Sequence, residues 1–117
     1  MKVGIDIVEI DRFEKINKTQ FFSKYFTDYE RDYSIKKGMQ SMAGIFSCKE
    51  AILKAYGKGI GNGIALKDIS IKHDNFGKPY VEENEILKKI KKECNVNYCE
   101  ISISHTKNIA QSICILI

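Results

Sequence analysis

The chain has 117 residues, of which 44% are hydrophobic and 29% charged, with a net charge of +4. That composition describes one soluble domain spanning residues 1–117, too short for two, and no run is long enough to cross a bilayer, so no membrane partner is expected. The charge is mild and mixed in sign, which argues against nucleic acid and allows an acidic partner or a phosphate-rich ligand.

Val3–Ile10 alternates and is β-branched, which predicts a strand with Val3, Ile5 and Ile7 on one face and Gly4, Asp6 and Val8 on the other. Asp6, flanked by isoleucines, is either a satisfied polar residue or a ligand. An acid this early also stands where a signal peptide is apolar, so a cytoplasmic location is expected. Asp11–Ile16 reads as a short helix capped by Asp11, with Arg12 and Lys15 forming either a docking face or an ordinary solvated one. The aromatic run Phe21–Phe26 is expected in the core, since no RNP-like or helix-turn-helix pattern accompanies it. Thr27-x-x-Glu30 has the form of a capping box and opens a helix to Lys37, closed by Gly38.

Met39–Tyr56 is rich in good helix formers and runs into Gly57, a left-handed stop. Phe46, Glu50 and Lys54 are four residues apart and share a face, with Lys49 beside them. The apolar stripe of Met42, Ala43, Ile45, Phe46, Ile52, Leu53 and Tyr56 puts the Glu50–Lys54 pair at the border of buried surface. A carboxylate there suits a hard cation such as Mg²⁺, and a lysine facing the loop Gly57–Gly63 suits phosphate oxygens. The same spacing also serves as a plain helix stabiliser, so this motif alone does not decide the matter.

Beyond the glycines, Ile64–Lys72 is expected to hold an alternating strand, turned by Asp74–Gly77 into Pro79–Val81 as a hairpin. Glu82–Glu93 reads as an amphipathic surface helix capped at Asn84. Tyr98–His105 and Ile109–Ile117 form a second hairpin around Thr106–Asn108, with Ser102, Ser104 and His105 at its turn end. Cys48, Cys94, Cys99 and Cys114 lack CxxC spacing and are expected as free thiols. The order of elements gives an α+β fold with an antiparallel sheet packed against helices.

Taken together, four segments resemble one family. Gly4-Ile5-Asp6-Ile7-Val8-Glu9, Phe46-x-x-Lys49-Glu50-Ala51-x-x-Lys54-Ala55 with Gly57-x-Gly59, Gly77-Lys78-Pro79, and Ser102-Ile103-Ser104-His105-Thr106 occur in the order and separation of the holo-acyl-carrier-protein synthases. These are the phosphopantetheinyl transferases of fatty acid synthesis. The resemblance implies the 4′-phosphopantetheinyl transferase fold and transfer of phosphopantetheine from coenzyme A to a serine of an apo acyl carrier protein. It implies that Asp6 and Glu50 hold Mg²⁺ and act in catalysis with Lys54. It also implies that Lys49, Lys54, Gly57, Gly59, Gly61, Lys78, Pro79, Ser104, His105 and Thr106 line the coenzyme A site, His105 and Thr106 gripping the 3′-phosphate. Arg12, Lys15 and Lys18 are expected to dock the acidic carrier, and the protein is expected to be a homotrimer with sites between subunits. A coenzyme A or nucleotide binding module without transfer activity is the rival reading, and it would not need both Asp6 and Glu50.

Overall fold

The computed structural model describes residues 1–57 and 63–117. The opening alternation forms strand β1 (Lys2–Glu9), with Gly4 and Val8 buried and Asp6 half-buried on one face. The other face is apolar and open: Val3, Ile5 and Ile7 are 51%, 56% and 61% exposed, more than a soluble strand usually leaves to water.

The segment expected as a helix over Asp11–Ile16 is instead a 3₁₀ turn, Ile10–Phe13. Ile10 and Phe13 are both buried, and their spacing of three fits one tight turn better than a longer helix. Asp11 lies inside that turn, and its backbone carbonyl, not its side chain, accepts from Glu14 N. A helix not foreseen follows, α1 (Lys18–Tyr25), capped by Asn17 Oδ1, which accepts from Gln20 N at 3.1 Å. Its aromatics go inward as expected: Phe21 meets Phe13, Phe26 and Phe46 with ring centroids 5.5, 5.1 and 5.3 Å apart.

The capping box opens α2 (Asp28–Lys37), Thr27 Oγ1 accepting from Glu30 N and Glu30 Oε1 accepting from Thr27 N. Gly38 then hands over to α3 (Met39–Tyr56), which ends at Gly57 in the left-handed region, φ 73°. This helix is buried on nearly every side from Met42 to Lys49, well beyond the one stripe its apolar residues suggest.

The strand expected over Ile64–Lys72 is cut short. Asp68 Oδ2 accepts from Ala65 N at 2.9 Å and closes a 3₁₀ turn at Leu66–Asp68, leaving only β2 (Ile71–His73) extended. The hairpin to β3 (Pro79–Val81) forms as expected, Asp74 Oδ1 accepting from Phe76 N and Lys78 N. Asn84 caps α4 (Glu85–Glu93), three residues later than the expected start. Strands β4 (Cys99–His105) and β5 (Ile109–Leu116) complete an antiparallel sheet of order β1-β5-β4, separate from the β2-β3 ribbon. Helix α3 packs across all three strands and against α2, so the expected α+β architecture holds.

Candidate active site

Gly4 fixes how close β1 comes to α3. A Cβ there would fall 1.9 Å from Ala51 O and 2.5 Å from Ala55 N, so only glycine allows the strand to lie this near. Two residues on, Asp6 meets the same helix: Ser47 Oγ donates to Asp6 O at 3.1 Å and Lys54 Nζ donates to Asp6 Oδ1 at 2.9 Å. Lys54 Nζ also donates to Ile5 O at 3.1 Å, so the ammonium is held over the strand, with its side chain 56% exposed. The second carboxylate oxygen, Asp6 Oδ2, is buried and has no hydrogen-bond partner among the described residues.

Glu50 completes the group. Burial pushes its carboxyl above the ordinary carboxylate value, the Asp6 charge adds to that rise, and Lys54 and Arg12 oppose it. These four charges therefore share one neighbourhood. Arg12 enters it on an aromatic platform, its guanidinium carbon 5.3 Å from the Phe13 ring centroid and 5.7 Å from that of Phe46, one turn before Glu50. No group of three or more His, Cys, Asp or Glu is placed to hold a metal among the described residues. A cation here would have two carboxylates and fill its remaining positions from water or a ligand, which fits Mg²⁺ better than zinc.

A second group of expected site residues lies around the first half of α3. Gly77, Pro79 and His105 line a cleft of about 170 Å³ together with Tyr33, Gln40 and His73. The last three were not foreseen. His73 stacks on Tyr33 at 3.9 Å between centroids, and its Nδ1 and Tyr29 OH share a 3.0 Å hydrogen bond. Thr106 follows His105 into the turn: its Oγ1 accepts from Asn108 N and Ile109 N, and its carbonyl accepts from Gln40 Nε2. Lys78 is exposed, its Nζ 3.9 Å from Glu100. Ser104 alternates with His105 along β4 and is exposed beside Gln111, its partner on β5.

The matching profile is that of the 4′-phosphopantetheinyl transferase superfamily, over residues 2–114. The chain belongs to that family. A holo-[acyl-carrier-protein] synthase of Fusobacterium nucleatum is 44% identical, the match covering 98% of this chain and 97% of that one. Two solved structures share the fold across nearly the whole chain. The holo-[acyl-carrier-protein] synthase of Helicobacter pylori in complex with coenzyme A has a TM-score of 0.87 at 30% identity, covering 98% of this chain and 99% of that one. The synthase of Neisseria meningitidis has a TM-score of 0.88 at 27% identity, covering 99% and 97%.

Within this transferase chain, Lys49 corrects an expectation. It is fully buried, and its ammonium pairs with Glu30 Oε1 inside the protein. Glu30 Oε2 accepts from Ile71 N at 2.8 Å, so one buried carboxylate ties α2, α3 and β2 together. Lys49 is therefore a structural lysine in a fold that exposes its neighbour Lys54. Of the expected docking residues, Arg12 and Lys15 are exposed around the 3₁₀ turn, while Lys18 opens α1. Lys18 borders a groove with Phe22, Arg31 and Lys67, so the three run from the 3₁₀ turn through the bend at Lys15 to the start of α1. Gly59 and Gly61 lie outside the described residues; Gly57 caps α3 one turn from Lys54.

Proposed function

We propose that this chain moves the 4′-phosphopantetheine arm of coenzyme A onto a serine hydroxyl of an apo acyl carrier protein and releases adenosine 3′,5′-bisphosphate. The observation that carries this reading is the half-open Asp6 carboxylate, one oxygen on Lys54 and the other buried and unpartnered among the described residues, beside Glu50. A buried acceptor without a donor is costly unless a ligand completes it. A bare binding module would have no use for such a pair.

Asp6 and Glu50 would hold Mg²⁺, which when bound supplies charge neutralisation at the pyrophosphate of coenzyme A. The protein's own groups do the rest. Glu50, its carboxyl held above the usual range by burial, is poised to take the serine proton as the oxygen attacks the β-phosphorus. Lys54, exposed and tethered by Asp6, offers its charge to the phosphate that leaves with the adenosine. The bond formed is serine oxygen to phosphorus, and the bond broken joins that phosphorus to the departing bisphosphate.

The reading includes Gly57, Lys78, Pro79, Ser104, His105 and Thr106 on the nucleotide side, with His105 and Thr106 at the 3′-phosphate. It also includes Arg12, Lys15 and Lys18 facing an acidic carrier, and a cytoplasmic location. We further propose a homotrimer in which the acidic group of one copy faces the His105 cleft of the next. The exposed apolar face of β1 and β5, where Ile5 pairs with Ile113, supports an assembly because a soluble monomer rarely leaves such a patch in water.

The test is incubation with coenzyme A, Mg²⁺ and several apo carrier proteins, read by intact mass. A phosphopantetheine gain on the carrier that disappears with EDTA is expected. Coenzyme A binding without any mass gain would replace transfer with the binding-module reading.

A further inference from the structure

The four cysteines play no part in the reading above, yet three of them converge on the helix-bearing side of the sheet. Cys99 Sγ at the start of β4 and Cys114 Sγ of β5 are 3.6 Å apart in a thiol hydrogen bond, and Cys48 of α3 lies close enough to feel the Cys99 charge. In the ladder Ile101 faces Cys114 and Cys99 faces Leu116, so the two thiols are diagonal neighbours on one face.

Their surroundings differ. Cys48 and Cys114 are buried, whereas Cys99 is half-buried and lines a cleft of about 280 Å³ walled by Ile52, Tyr56, Leu87 and Lys91. This cleft shares no lining residue with the one at His105. It also lies on the helix side of the sheet, opposite Val3, Ile5 and Ile7, so an assembly through that apolar face leaves it open. The Cys114 hydrogen bond, with help from the Lys91 ammonium, holds the Cys99 thiol below its ordinary value despite burial; the same bond and burial hold Cys114 above its own.

We propose that Cys99 and Cys114 form a reactive dithiol, in which Cys99, open to the cleft, attacks a low-molecular-weight disulfide and Cys114 resolves the product. In the first step the Cys99 thiolate bonds to one sulfur of RS–SR and expels RS⁻. That thiolate takes the Cys114 proton. The Cys114 sulfur then bonds to Cys99 and expels the second RS⁻, so two protein thiols are oxidised and one small disulfide is reduced to two thiols. Closing from 3.6 Å to a disulfide bond requires about 1.5 Å of approach between the two sulfurs.

The experiment uses Cys94→Ser protein, which removes the other half-buried thiol, treated with one equivalent of 4,4′-dithiodipyridine. Both thiopyridones of the reagent should be released, and the protein should end two hydrogens lighter with no adduct. After free thiols are alkylated, a tryptic digest should hold peptides 93–107 and 108–117 joined, which places the link between Cys99 and Cys114 without any further variant. Adding Cys114→Ala, with its circular dichroism matched to the parent, should halve thiopyridone release and leave a stable adduct on Cys99. A lasting adduct on Cys99 while Cys114 is present, first reaction at Cys48, or no reaction at all would each overturn the proposal.

Discussion

Gly4 and Ala51 are in such close contact that a methyl group on Gly4 would overlap the Ala51 carbonyl oxygen at 1.9 Å. The obstacle is helix backbone, which has no rotamer through which to yield. Gly4→Ala should therefore cost at least the ~1–3 kcal/mol typical of overpacking. It should also lift β1 off α3 and separate Asp6 from Lys54. A urea midpoint within error of wild type would show that the strand does not need this approach.

Glu50→Gln separates function from stability. The Glu50 carboxyl is raised above 4.5 in the folded chain, so the protonated form favours folding; that stability is fully present below the unfolded value and is lost as pH rises through the folded one. Gln keeps the shape without the charge. At neutral pH and in EDTA the variant should unfold at higher urea than wild type, with the gap closing below 4.5, while transfer falls by about 10²–10⁴-fold. A variant less stable than wild type at neutral pH would contradict the assigned cause of the raised value.

Much of this fold is legible in local patterns. The two faces of β1, the Thr27–Glu30 box, the Gly57 stop and both hairpins each follow from residues within one or two turns of each other. Local pattern fails where a side chain engages backbone in a way that alternation does not report. Asp68 reaching back to Ala65 N folds an apparently alternating strand into a turn, and Asn17 capping Gln20 N starts a helix in a run with little amphipathic signal. The burial of Lys49 is hidden from the sequence for a different reason. Its partner Glu30 is 19 residues away and also serves in a capping box, so nothing local marks it as a counter-ion.

That pairing makes a prediction of its own. Lys49→Met leaves the Glu30 carboxylate buried without its cation, and Glu30→Gln leaves the ammonium, so each should cost about 3–5 kcal/mol by urea denaturation. The double variant should cost far less than the sum of the two. Below its melting range Lys49→Met should keep the wild-type KM for coenzyme A, because its ammonium lies inside the protein. A large rise in KM with the fold intact would return Lys49 to the ligand site.

The division of expected site residues between the Asp6–Glu50–Lys54 group and the His105 cleft leads to a complementation test. Asp6→Asn and His105→Ala should each be weak alone. If one copy supplies the acids and its neighbour the nucleotide cleft, co-expressing the two variants creates interfaces where an intact Asp6 faces an intact His105. Random mixing would make on the order of a quarter of the interfaces whole, so transfer should recover to that order relative to wild type. A site contained within one subunit would give no recovery, because no single copy would then carry both residues. Light scattering on the mixture fixes the number of chains per particle, and a monomer with full wild-type activity would end the shared-site proposal.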